Sequence, residues 1–114
     1  MKMDRNQNAD GLGKYAIINL RKLNETCGHP STFERWTPGV EAALKTLEEV
    51  GVLEWGCVGA TDEFFLVKLK DRHAEAALKG YAESAAVTDP EWASEVHELA
   101  MRSGMNSPFC KSPD

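Results

Sequence analysis

With 114 residues, 42% of them apolar and 27% charged, the chain has the length and balance of one soluble globular domain able to bury a core. The net charge of −5 is concentrated beyond residue 35, where seven basic residues stand against fourteen acids; this excludes a general binder of long nucleic acid, which needs a concentrated basic surface. No apolar run approaches the ~20 residues of a membrane span and the polar start MKMDRNQNADG has no signal core, so a cytoplasmic protein that meets no membrane is expected.

In chain order, residues 1–13 are rich in Asn, Asp and Gly and read as a disordered leader to a single domain over 14–104. Tyr15 to Arg21, YAIINLR, has the alternation of a first strand, with Ala16, Ile18 and Leu20 on one face and Tyr15, Ile17 and Asn19 on the other. Lys22 to Thr37 is a long connection holding Cys27, Gly28, His29 and Pro30; Ser31 to Glu34 has capping-box spacing for one helical turn through Phe33 and Trp36. Thr37-Pro38 supplies an N-cap and a first-turn proline, and Val40, Ala43, Leu44, Leu47 and Val50 form the stripe of a helix ended by Gly51. Val52 to Trp55 reads as a short strand, joined through a glycine-bearing turn at Gly56 to Thr61 to the strand Phe64 to Leu69. At Asp71, a candidate N-cap, the period changes to about 3.6. Ala74, Ala77, Leu78, Tyr81, Ala82 and Ala85 then share one helical face. Thr88-Asp-Pro-Glu91 opens a last helix whose stripe is Trp92, Val96, Leu99 and Ala100, stopped near Gly104; residues 105–114 read as a flexible tail.

This order predicts an α+β fold: a small mixed, largely antiparallel sheet in βαββα order, a truncated ferredoxin-like arrangement, with a helix in place of the fourth strand. A right-handed first crossover puts the Phe64 strand in the middle of the sheet, with Phe65 facing the helices, like Leu44, in the core. Tyr15, Ile17, Phe64 and Leu66 then share the other face, too apolar to stay wet, and together with Phe109 from the tail they are the candidate interface for a homodimer or even-numbered assembly. The same face has a basic end, so Tyr15, Arg21, Lys68, Lys70 and Arg72 are candidates for stacking and phosphate contacts to a small nucleotide.

Chemistry-bearing patterns are sparse. Cys27, His29, Cys57, His73, His97 and Cys110 have no zinc-site spacing, and Met101 stands where a second zincin histidine would follow His97-Glu98, so neither metal nor cofactor is expected. Three cysteines without CxxC spacing fit a reducing compartment. Gly11-Leu-Gly13 and Gly56-Cys-Val-Gly59 lack the Lys-Ser/Thr of a phosphate loop. Asp62 and Glu63 point to opposite faces of a strand and make no acid and base pair. Cys27 with His29 is the one hint of a nucleophile, leaving a cysteine-dependent enzyme as an alternative; no catalytic residue is assigned and a non-enzymatic protein is expected. The acids Asp89, Glu91, Glu95 and Glu98 on the last helix are a solvated face or a patch for a basic partner.

The run EFFLVKLKDRHAEAAL, then DPEWASEVHELA and PFCKSPD, with KYAIINLRKL as a fainter match, resembles small uncharacterised proteins encoded in tailed-phage and prophage genomes. The resemblance covers roughly residues 62–114 and brings no catalytic or binding residue with it. It implies a phage-encoded accessory or anti-defence factor in the bacterial host cytoplasm, acting by binding a host protein or, alternatively, by sequestering a small signalling nucleotide.

Overall fold

The computed structural model describes residues 11–27 and 36–112. Within them the chain forms four α-helices, α1 (Leu20–Cys27), α2 (Pro38–Glu49), α3 (Ala74–Ala85) and α4 (Pro90–Ala100), and a 3-10 turn, Gly104–Asn106. It divides into two compact units, one of residues 1–16 with 66–114 and one of residues 17–65.

The α+β expectation is overturned, and with it the βαββα order. No strand ladder is present among the described residues; the bridge between Asp71 and Lys111 is isolated and parallel. The predicted strands at 15–21, 52–55 and 64–69 are each corrected for the same reason: the described residues supply no neighbouring backbone for them to pair with. A helix closes its hydrogen bonds within its own segment, whereas an aromatic and β-branched run becomes a strand only beside another strand. Phe65, placed in the core by the strand phase, is 91% exposed. The first strand also ends differently, because its last residues enter α1. Asn19 caps that helix, its Oδ1 accepting from the Lys22 N–H at 3.0 Å and its carbonyl from the Leu23 N–H at 3.0 Å.

The unit of residues 17–65 is organised on α2. Thr37 is its N-cap by position, without a side-chain cap bond, and Pro38 opens the first turn. At the far end the Gly51 N–H donates to Glu48 and the Val52 N–H to Leu47, the paired bonds of a Schellman ending, which the left-handed φ of 79° at Gly51 makes possible. Leu44 and Trp36 are buried. The Trp36 and Trp55 rings stack with centroids 6.4 Å apart and planes 8° from parallel. Each indole N–H has a partner, Trp36 donating to Asn24 Oδ1 and Trp55 to Glu48 Oε2, both at 2.8 Å. The expected glycine-bearing turn forms through Ala60 N–H to Cys57 and Glu63 N–H to Ala60, and the Phe64 ring lies so close over Gly56 that a β-carbon there would collide with it. The expected helical turn at 31–34 lies outside the described residues.

In the other unit α3 and α4 pack on each other through Ala74, Ala82, Ala93, Val96 and Ala100, all buried. Four of those five are alanines, so the helices approach closely but bury little apolar area; Val96 is the one larger side chain, worth roughly 1.5–3 kcal/mol. The helices are joined by a tight turn in which the Asp89 N–H reaches the Ala85 carbonyl at 2.8 Å. The cap of α4 forms as the sequence suggests, with Asp89 Oδ1 accepting from the Trp92 N–H at 3.1 Å. The start of α3 is shifted: His73 takes the N-cap position, and Asp71 turns the chain just before it by accepting from the His73 N–H at 2.8 Å.

Candidate docking surface

Beyond α4 the chain forms a strap across the start of α3. Ser103 is fully buried, its hydroxyl donating to the Ala100 carbonyl at 2.7 Å, a group the end of a helix leaves without an intrahelical partner. Gly104 then adopts a φ of 58° and donates its N–H to the Leu69 carbonyl at 2.8 Å; a β-carbon at Gly104 would sit 3.1 Å from Glu75 Cβ and 3.2 Å from the Arg72 carbonyl. Glycine is required there both by the left-handed backbone and by the close approach. Further on, Lys111 donates to Lys70 at 2.9 Å and accepts from Arg72 at 3.0 Å. The segment read from sequence as a flexible tail, residues 105–114, thus follows the bonded Gly104 and is itself hydrogen-bonded to the residues before α3 at Lys111.

Glu75 joins helix and strap. It pairs with Lys79 at 2.7 Å, one turn along α3, and its carboxyl is held below the usual carboxylate range first by that hydrogen bond and then by one from Asn106 on the strap. Asp89 is likewise held below its ordinary value, chiefly by the Trp92 N–H.

Three large apolar side chains stand out from the chain between Ala100 and Lys111: Met101, Met105 at 78% exposure and Phe109 at 75%. Beside them in sequence, Glu91, Glu95 and Glu98 fall on successive turns of α4. No sequence signal marks Met101 and Met105, because they continue no helical stripe; their position depends on the strap's backbone bonds.

The residues expected to share a sheet face are distributed differently. Tyr15, Leu66 and Phe109 belong to one unit and Ile17 and Phe64 to the other, each more than half exposed. Of the basic candidates, Arg21 lies on α1 in one unit, and Lys68, Lys70 and Arg72 lie in the other with Tyr15. Lys70 and Arg72 are brought beside Lys111 through the backbone bonds just given. There is no sheet among the described residues to align the five on one surface. His29 falls outside the described residues, and so does any pairing of it with Cys27. Among the described residues no three His, Cys, Asp or Glu gather as a metal site. The concavity between α3 and α4 is a shallow, open groove floored by Ala82, Ala86 and Ala93, with Lys79, Glu83 and His97 along it. No helix among the described residues is long and apolar enough to cross a membrane. Comparison with protein-family models, curated proteins and solved structures gives no match to this chain.

Proposed function

We propose that this is a non-enzymatic binding protein, a phage-encoded accessory factor that acts in the bacterial host cytoplasm by docking on a host protein. The observation that carries the reading is the strap, which holds Met101, Met105 and Phe109 exposed while its backbone is bonded to the start of α3. A partner meets these side chains without first having to order the segment, which lowers the entropic cost of association. Methionine and phenylalanine are residues that interfaces favour, and the acids of α4 supply a rim suited to a basic partner. The phage setting is part of the proposal and is taken from the reading of residues 62–114 in the sequence.

The test is affinity capture from host lysate with the native chain and with a Met105→Asp, Phe109→Ser double variant. Both positions are exposed, so the variant keeps the native helical circular dichroism. The native chain is expected to retain a host protein that the variant releases; equal retention by both refutes the docking surface.

A second reading, capture of a small nucleotide, has in its favour the convergence of Lys70, Arg72 and Lys111 on one backbone junction. A cyclic di- or oligonucleotide present at a hundred times its dissociation constant adds ~2.7 kcal/mol of stability. The absence of a thermal shift across a panel of such nucleotides removes that reading.

A further inference from the structure

We infer that the partner taken by the strap is a cationic amphipathic α-helix, whose basic residues lie over the acidic face of α4 and whose apolar face meets Met101, Met105 and Phe109. The inference rests on the docking reading above and adds to it the chemical class of the occupant.

The acidic and apolar parts of the surface are joined by the way α4 ends. Glu91, Ser94, Glu98 and Met101 follow one another at spacings of three and four residues, so they form one exposed ridge with carboxylates on its early turns and a thioether at its end. The chain then folds back on that end. Ser103 Oγ and Asn106 Nδ2 both donate to the Ala100 carbonyl, at 2.7 and 3.5 Å, which holds the 3-10 turn carrying Met105 against the end of the ridge. Met101, at 53% exposure, is therefore continuous with the more exposed Met105.

Charge selects a cation. Residues 80–101 hold five acids and no Lys or Arg, and Arg102, one turn beyond Glu98, is the first opposing charge. Complementary potential steers a basic partner to this face and turns an acidic one away. The backbone selects a helix. From Asn106 to Lys111 every N–H of the strap already has an acceptor, Pro108 having none to donate: Asn106 bonds to Ser103, Ser107 to Gly104, Phe109 and Cys110 to Ser107, and Lys111 to Lys70. A peptide bound by strand addition draws on open backbone groups, and this segment withholds its donors. What the surface offers is side chains, which suits a partner whose own backbone bonds are closed within it. Methionine, unbranched and polarisable, adapts to the apolar face of such a helix.

Fluorescence anisotropy on the full chain tests this with three labelled synthetic peptides of about eighteen residues. The first has leucine on one helical face and lysine on the other, the second has the same composition shuffled so that no apolar face forms, and the third carries glutamate in place of lysine. The native chain is expected to bind the first at least about tenfold more tightly than either of the others, with an affinity that falls as salt is raised. Glu91→Lys with Glu98→Lys, and separately Met101→Ser with Met105→Ser, should each weaken that binding about tenfold. Glu49→Lys with Glu54→Lys makes the same change of net charge at exposed positions of the other unit and should leave it unchanged. Circular dichroism of each variant checks that the helices are retained. No binding of the first peptide, equal binding of the shuffled or acidic one, or losses no greater than those of the Glu49 and Glu54 control overturns the inference. The docking reading is judged separately: if the native chain still retains a host protein that the Met105→Asp, Phe109→Ser variant releases, that reading stands and only the cationic helix is removed.

Discussion

Leu44 and Phe65 have equal claims to a core by hydrophobicity, and the fold separates them. Leu44 is 6% exposed on α2 and Phe65 91% exposed on a segment without secondary structure. Leu44→Ala is accordingly expected to cost ~2 to 5 kcal/mol, from lost transfer energy and the cavity left behind. Phe65→Ala should change stability by no more than about 0.5 kcal/mol, as for other surface positions. Denaturant titration followed at Trp36 and Trp55 measures both, and a large loss for Phe65→Ala would show that its ring is covered in solution. Asp89 gives a prediction with a definite sign in pH. Its folded value is depressed, so the stability it contributes is present above the ordinary aspartate range and is lost as pH falls through the folded value. Removing the carboxylate with Asp89→Ala should lower the melting temperature at neutral pH and flatten its dependence on acid below pH ~4. Asp89→Asn should keep much of the cap, since an amide oxygen still accepts from Trp92, and lose only the acid dependence. Equal melting curves for all three would mean the cap bond is not formed.

At the scale of elements, helices were legible and strands were not. The apolar spacing and the Thr37-Pro38 and Asp89-Pro90 signals locate α2 and the start of α4, which ends at Ala100 rather than near Gly104, and the alanine stripe locates α3, because helix signals are written in the segment that obeys them. The missed helix, α1, had a signal in Asn19, hidden inside a run that alternates convincingly from Tyr15. The Phe64 run has strong strand composition, yet pairing depends on distant chain, which no local pattern encodes. The strap was illegible for a related reason: its bonds join Gly104 to Leu69 and Lys111 to Lys70 across the whole hairpin. Its contribution can be measured by ending the chain at Ser103. That removes, besides the strap's own local turns, the three backbone hydrogen bonds that tie it to the residues before α3, those from Gly104 to Leu69, from Lys111 to Lys70 and from Arg72 to Lys111. At a net ~0.5–1.5 kcal/mol each, the α3 and α4 pair should lose about 2 to 4 kcal/mol. Hydrogen exchange at Arg72 is the direct probe, and unchanged protection there would rule the strap out as a support.

For the molecule as a whole, composition says little about organisation. One core was expected and two compact units are found, one of which takes its chain from both sides of the other. That interleaving sets an order of events during synthesis. Residues 17–65 leave the ribosome as an uninterrupted block, so the unit of Trp36, Leu44 and Trp55 has all its parts as soon as Phe65 has emerged. Its companion must wait. Val96 and the alanines of α4 come later, and the bond that fastens Lys70 requires Lys111, forty-one residues after it in the chain. During that interval Phe64, Phe65 and Leu66 are already outside, so this is the stage at which a nascent chain on a crowded polysome is most open to capture by a chaperone or by a neighbouring copy of itself.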